Sequence, residues 1–501
     1  MADQAPIQFF SKSQDGKVSL SNYDFKMFLE SFQYFKHKPN QNSSFNLVHR
    51  NGIFVEIKDE TDVKDFVLDH ILNTNLGTDV FNLMTNRTSI FKRDFLSMIK
   101  SEEIKVLRDT KDVAYLFYKN GIVEVTKDSK ELKSYEEYDV SIWRDQVIKR
   151  NYIPIDHHDS EFREFIWKIS GGFDKKPLMS DNDNAVYKTA VDRYNAFQTA
   201  IGYLIHSYNS NATGKAIVLN DEMISDDPNG RSGKSLLSVA ISYMKKLNTL
   251  NGKEFNFNGN FPYSSVKSDC QVLLFDDVKR GFPFENLFSV ITQGIEIEHK
   301  GKDKIQLPIE DSPKILITTN YVLKGSGGSH EARKFELELS SFFSASYTPI
   351  DYFGHYLFND WDESEWVKFD CYMIECLKKY LEFGLVGYNA ISLPVKRLKA
   401  EMGIELFECI QAIPKGEWIL ANNFFDSYTS SVSKKYLAKT KNVVTKSIKS
   451  YCDFYDLIYD STTSNGVKKF NIKDKVSVIV KGDKVDPDVW DTIENDLKTK
   501  T

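Results

Sequence analysis

The residues best suited to chemistry gather in one run, Pro228-Asn229-Gly230-Arg231-Ser232-Gly233-Lys234-Ser235. It follows the apolar stretch Lys215-Ala216-Ile217-Val218-Leu219 and precedes a helical pattern starting at Leu236. A glycine-bearing loop between a buried strand and a helix can cradle phosphate. Its backbone N–H groups and the helix N-terminus face the anion, a lysine ammonium reaches the β- and γ-oxygens, and a serine hydroxyl binds Mg²⁺. The expected nucleotide contacts are therefore Asn229, Gly230, Arg231, Ser232, Gly233, Lys234, Ser235 and Leu236. The run departs from G-x-x-x-x-G-K-[ST] at its first position, where Pro228 stands, and Gly230 is left to supply the close backbone approach.

A second apolar stretch, Val272-Leu273-Leu274-Phe275, ends in Asp276-Asp277. Phosphoryl transfer needs one carboxylate to hold the metal and another group to orient or deprotonate the attacking water. Asp276, with Ser235, suits the metal, and Asp277 suits the water. A third stretch, Ile315-Leu316-Ile317-Thr318-Thr319, ends in Asn320.

These residues need elements to position them. Short apolar runs separated by helical stretches predict an α/β sandwich with a buried parallel sheet. Upstream, Val186, Ala190, Phe197, Ile201, Leu204 and Tyr208 recur at helical spacing behind Ser180-Asp181-Asn182-Asp183. Downstream, Asp362-Glu363-Ser364-Glu365 opens an amphipathic helix carrying Trp366, Phe369, Met373, Leu377 and Tyr380, ended near Gly384. Residues 1–155 mix helical stretches with strand-like runs at 54–57 and 114–118, and Asn120-Gly121 marks a hairpin.

Near the C-terminus a helix over Lys439 to Phe454 carries Val444, Ile448 and Tyr451 inward and exposes Lys441, Lys446 and Lys449. Leu457-Ile458-Tyr459, an Asn465-Gly466 turn and Val467-Lys468-Lys469-Phe470 follow, so helix and hairpin read as a winged helix. Residues 431–473 hold nine lysines against three aspartates, a balance of +6 in a chain whose net charge is −6. Local basic enrichment on such a unit is what duplex DNA binding needs.

The 501 residues exceed a single core and predict several folding units. Five cysteines without C-x-x-C spacing predict a reduced, cytoplasmic protein, and no stretch is apolar enough to span a bilayer. Asp156-His157-His158-Asp159 offers metal ligands, but with no matching Cys/His cluster elsewhere no zinc site is expected. The N-terminal region shows no apolar strand ending in paired acids, so a primase activity is expected to lie in another protein.

The order Gly233-Lys234-Ser235, Asp276-Asp277, Thr318-Thr319-Asn320 resembles the AAA+ superfamily 3 helicases of DNA viruses, phages and plasmids, and within them the phage and poxvirus primase-helicase branch. The motifs occupy roughly residues 215–345. The resemblance implies a hexameric ring that binds ATP between subunits, a γ-phosphate sensor at Asn320 and an arginine finger at Arg333. It also places a DNA-gripping hairpin at Ile295–Leu307, with Lys300, Lys302 and Lys304 as phosphate contacts.

The expected architecture is an AAA+ P-loop ATPase core, a parallel sheet sandwiched by helices, over 211–350. An N-terminal α/β module (1–155) and a helical collar or oligomerisation segment (156–210) precede it. A helical segment (351–400), a winged-helix-like DNA-binding domain (401–475) carrying Lys441, Lys446, Lys449 and Lys468, and a tail (476–501) follow. The expected activity is ATP-dependent DNA translocation and unwinding in phage or mobile-element replication, with Mg²⁺, DNA and further copies of the chain as partners, in the host cytoplasm. An origin-binding ATP switch and a protein-remodelling AAA+ machine stay open as alternatives. The lysines of the candidate hairpin lean against the second.

Overall fold

The computed structural model describes residues 7–40, 43–155, 159–172, 181–222, 232–298, 304–323, 325, 327–432, 438–464 and 466–474, with the main chain alone over 181–185. The chain divides into two compact units, 1–389 and 390–501.

The first unit is built on a five-stranded sheet. Its strands are β1 (Ala216–Asp221), β2 (Leu247–Asn251), β3 (Val272–Val278), β4 (Lys314–Thr319) and β5 (Lys334–Leu339), in the order β2-β3-β4-β1-β5. All neighbouring pairs are parallel. Successive side chains point to opposite faces of a strand, so a near-continuous apolar run buries both faces. Ile217, Leu219, Leu274, Leu316 and Leu337 enter one core, while Val218, Leu273, Phe275, Ile315 and Ile317 enter another.

Helices α1 (Glu161–Ile169), α2 (Asp181–Ile205), α3 (Lys234–Ser242) and α4 (Glu363–Phe383) supply the first of these cores, through Phe165, Phe197, Leu237 and Phe369 among others. In α2 the buried stripe runs through Ala190, Phe197, Ile201 and Leu204, whereas Val186 is exposed and Tyr208 lies beyond the helix end. A Cβ on Gly202 would approach the Cys376 carbonyl to 2.2 Å, so the α2–α4 crossing depends on a glycine there.

The N-terminal region holds a two-stranded hairpin (Phe10–Lys12 with Val18–Leu20) and two larger sheets. One holds the strands Tyr34–His37, Asn46–Asn51, Phe54–Lys58 and Ile142–Trp143, the other Ala114–Tyr118, Gly121–Val125 and Lys130–Lys133. The Asn120-Gly121 hairpin forms, with Tyr118 opposite Gly121. Helices Asn22–Ser31, Glu60–Asn73 and Thr78–Asn86 share a Phe-rich core that includes Phe9, Phe25 and Phe28.

The second unit runs α5 (Leu393–Met402), α6 (Ile404–Gln411), β6 (Ile419–Leu420), α7 (Ala421–Ser431), α8 (Lys441–Phe454), β7 (Leu457–Ser464) and β8 (Val467–Asp474). Its antiparallel sheet has the order β6-β8-β7. Val444, Ile448 and Tyr451 of α8 pack with Phe407, Phe424 and Phe470. Among the described residues no helix is long and apolar enough to cross a membrane, and all five cysteines are free.

Candidate nucleotide site

The carboxyl ends of β1, β3 and β4 carry the polar residues, the edge at which open parallel sheets bind ligands. Gly233 caps α3 with φ 103° and ψ 0°, a left-handed conformation that favours glycine. A Cβ there would also lie 2.7 Å from the Phe165 ring, so α1 packs directly on the loop. Lys234 opens α3 and Ser235, the next residue, is exposed.

The Lys234 ammonium donates to Asn320 Oδ1 at 2.7 Å and to Ser232 Oγ at 3.4 Å, and pairs with Asp221 Oδ2 at 2.5 Å. β1 and β4 are hydrogen-bonded neighbours, with Leu219 opposite Thr318, which brings Asp221 and Asn320 to the same spot. Next to Asp221, Glu222 pairs with Arg193 of α2 at 2.9 Å.

Asp276 and Asp277 stand on an irregularity of β3. Its register against β4 shifts between Phe275 and Val278, and Asp277 adopts φ +53°. A bulge of this kind re-aims side chains at the end of a strand, and aspartate tolerates the left-handed region better than most residues. Thr318 pins it, because the Asp277 N–H donates to Thr318 Oγ1 at 2.7 Å and the Thr318 hydroxyl donates to Asp276 Oδ1 at 2.7 Å. Lys253, in the turn after β2, pairs with Asp277 Oδ2 at 2.5 Å. That carboxylate raises the Lys253 pKa above its ordinary value.

The structure thus brings Lys234 to Asn320, and Asp276 and Asp277 to Thr318. Arg333 is placed elsewhere: its Nη1 donates to the Ser329 carbonyl at 3.0 Å and its guanidinium lies over the Phe288 ring at 4.8 Å. Asn229, Gly230 and Arg231 of the loop lie outside the described residues, as do Pro228, Lys300, Lys302, Asp156, His157 and His158.

The candidate hairpin pairs Glu296–Ile297 with Ile305–Gln306 antiparallel. Ile295, Ile297, Ile305 and Leu307 face inward, while Glu296, Lys304 and Gln306 are exposed. Lys304 is engaged with Glu296 at 2.6 Å. In the second unit Lys441, Lys446, Lys449 and Lys468 are all exposed. Lys441 donates to Asn422 Oδ1 at 3.0 Å, and Lys449 lies over the Tyr459 ring at 5.4 Å.

Sequence reasoning missed Asp221, Lys253 and the role of Thr318. Asp221 had a signal, being an acid at the end of an apolar run like Asp276. Lys253 had none, because only the pairing of β2 with β3 places it beside Asp277.

No family model matches the chain, and no curated protein matches it. Among solved structures, one match is a structure of Drosophila ORC bound to DNA. It is 8% identical, covers 66% of this chain and 93% of that chain, and superposes with a TM-score of 0.17. A superposition that loose carries no argument about fold or function.

Proposed function

We propose that the chain is an ATP-hydrolysing motor of the AAA+ type, a superfamily 3 helicase that moves on DNA in phage or mobile-element replication. The observation that carries this reading is the meeting of Lys234, Asn320, Thr318 and the Asp276-Asp277 pair at one edge of a parallel sheet. The strand bearing Asn320 lies between the loop strand and the acid strand, so one element touches both the ammonium and the carboxylate machinery. In the second unit, two helices, a short strand, two further helices and a hairpin, with sheet order β6-β8-β7, support a winged helix presenting lysines.

The residues fit nucleotide chemistry. A triphosphate entering over Gly233 would take the Lys234 ammonium from Asp221, an exchange of one anion for another within reach of the same side chain. The Ser235 hydroxyl and the Asp276 carboxylate are hard oxygen donors suited to Mg²⁺, which would neutralise phosphate charge. Asp277, held by Thr318 and freed from Lys253, would orient water, and Asn320 would register the γ-phosphate. Arg333 would serve a neighbouring subunit's nucleotide in a hexameric ring. The hairpin lysines Lys300, Lys302 and Lys304 would grip single-stranded DNA in the channel, and the winged helix would meet duplex through Lys441, Lys446, Lys449 and Lys468.

Steady-state hydrolysis of ATP with and without single-stranded DNA, in wild type and Lys234→Ala, tests the reading. DNA-stimulated hydrolysis that disappears in the variant is the expected result. Lys234-dependent hydrolysis indifferent to DNA would turn the reading to an origin-binding ATP switch or a protein remodeller. Hydrolysis that survives Lys234→Ala would overturn the assignment of the site.

A further inference from the structure

The return strand of the candidate hairpin, Ile305–Gln306, is bounded on both sides. One edge pairs with Glu296–Ile297, and the other faces the N-terminal region. Ser43, 4% exposed, lays its hydroxyl along the main chain of Gln306. Its Oγ accepts from the Gln306 N–H at 2.9 Å and donates to the Gln306 carbonyl at 2.9 Å. The Ser44 N–H donates to the Lys304 carbonyl at 2.9 Å, and the Asn40 carboxamide donates to the Gln306 carbonyl at 2.5 Å.

The gripping segment is itself braced. Arg93 Nη2 donates to Ser44 Oγ at 2.7 Å and to the Phe45 carbonyl at 2.6 Å, and the guanidinium stacks over the Phe45 ring at 4.0 Å. Just beyond the hairpin, Arg108 makes two bonds to Asp311, at 2.7 and 2.9 Å, in the turn that leads into β4.

A two-residue strand cannot hold its own position, and an open edge leaves N–H and C=O groups unsatisfied. Here one serine side chain serves both main-chain groups of Gln306. The same stretch of chain continues from Gln306 through β4 to Asn320, so the hairpin is joined by a short link to the strand that leads to the Lys234 contact.

We propose that Ser43, supported by Asn40, is a positioning residue, a latch by which the N-terminal module holds the hairpin's return strand in place. Coupling between DNA and ATP hydrolysis therefore needs Ser43, although it lies outside the nucleotide site. The consequence for coupling rests on the DNA-motor reading; the latch itself does not.

The test uses the full chain with Ser43→Ala and Ser43→Thr, read by amide hydrogen exchange over 304–307 without DNA and by ATP hydrolysis with and without single-stranded DNA. In Ser43→Ala, exchange at Gln306 is expected to quicken by about tenfold, since one protecting bond is lost. Basal hydrolysis stays unchanged while the DNA-stimulated increment falls by about tenfold, as loss of positioning predicts. Ser43→Thr, which keeps the hydroxyl, restores both, and Asn40→Ala shifts both in the same direction by less.

Unchanged exchange in Ser43→Ala would overturn the latch. Faster exchange with an intact DNA-stimulated increment would overturn its role in coupling. A wild type that DNA does not stimulate sinks the motor reading instead, and exchange alone then decides for or against the latch.

Discussion

Lys234 is held between a carboxylate and an amide, and that arrangement sets how the proposed site should respond to substitution. The Lys234–Asp221 pair is nearly enclosed, with side chains 12% and 13% exposed. Removing one partner of a buried pair is destabilising by several kcal/mol, about 3–5 in well-enclosed cases. Asn320 remains as an acceptor, so about 1–2 kcal/mol is the scale here. In Asp221→Asn the nucleotide-free protein therefore loses stability while the phosphate-bound lysine does not. ATP should bind about tenfold tighter, and the ATP-induced rise in Tm should grow. Weaker binding in the variant would mean that Asp221 belongs to the bound state rather than competing with it. The paired acids and the asparagine were visible because each ends an apolar run, and the lysine because it follows a glycine-bearing loop at the start of a helix. The parking of the lysine on Asp221 was not, since it depends on which strands are neighbours.

At the scale of elements, three of the five strands of the sheet were legible from their apolar runs, while β2 and β5, which alternate apolar with polar residues, were not. Burial on both faces demands unbroken apolar runs at 216–219, 272–275 and 315–317, and those runs form β1, β3 and β4. The irregularity at Asp276-Asp277 was not legible, because a register shift is a property of the pair of strands. One hydroxyl touches both of its acidic residues, while the Gly252 N–H holds the Asp276 carbonyl at 2.7 Å. In Thr318→Val, which keeps the side-chain shape, the Asp277 N–H loses its acceptor and Asp276 Oδ1 loses its donor. An unsatisfied group of this kind costs about 1–3 kcal/mol, and the left-handed turn at Asp277 has less to hold it. The expected outcome is a kcat for ATP hydrolysis lowered by about tenfold or more with nucleotide affinity little changed. Equal kcat in a folded variant would remove Thr318 from the machinery. The C-terminal hairpin was read correctly from its Asn465-Gly466 turn: Ser464 pairs with Val467 across it.

The whole first unit depends on contacts with no local signature, and those were the hardest to foresee. Arg150 pairs with Asp370 of α4, Arg108 with Asp311, and Lys246 with both Asp145 and Asp269, each joining distant parts of the chain. His206, 1% exposed at the end of α2, shares this seam, with Nε2 2.8 Å from the Thr110 carbonyl. Burial pushes its pKa down to about 4 from an ordinary 6.5; Lys314 and Lys245 nearby push the same way, and Asp109 and the Thr110 carbonyl oppose them. The unfolded chain therefore takes up a proton at His206 that the folded unit resists, so stability falls as pH drops from 6.5 towards 4. The full contribution is about 3 kcal/mol, absent above the unfolded pKa and complete below the folded one. Acid also destabilises through carboxylates, so the measurement is a difference: urea unfolding of wild type against His206→Gln from about pH 7 to about pH 4.5. Glutamine does not titrate and can still donate to Thr110, so the variant should lose less stability on acidification, the gap opening below about pH 6.5. Parallel losses in the two proteins would mean that His206 takes its proton as readily in the folded seam as in the unfolded chain.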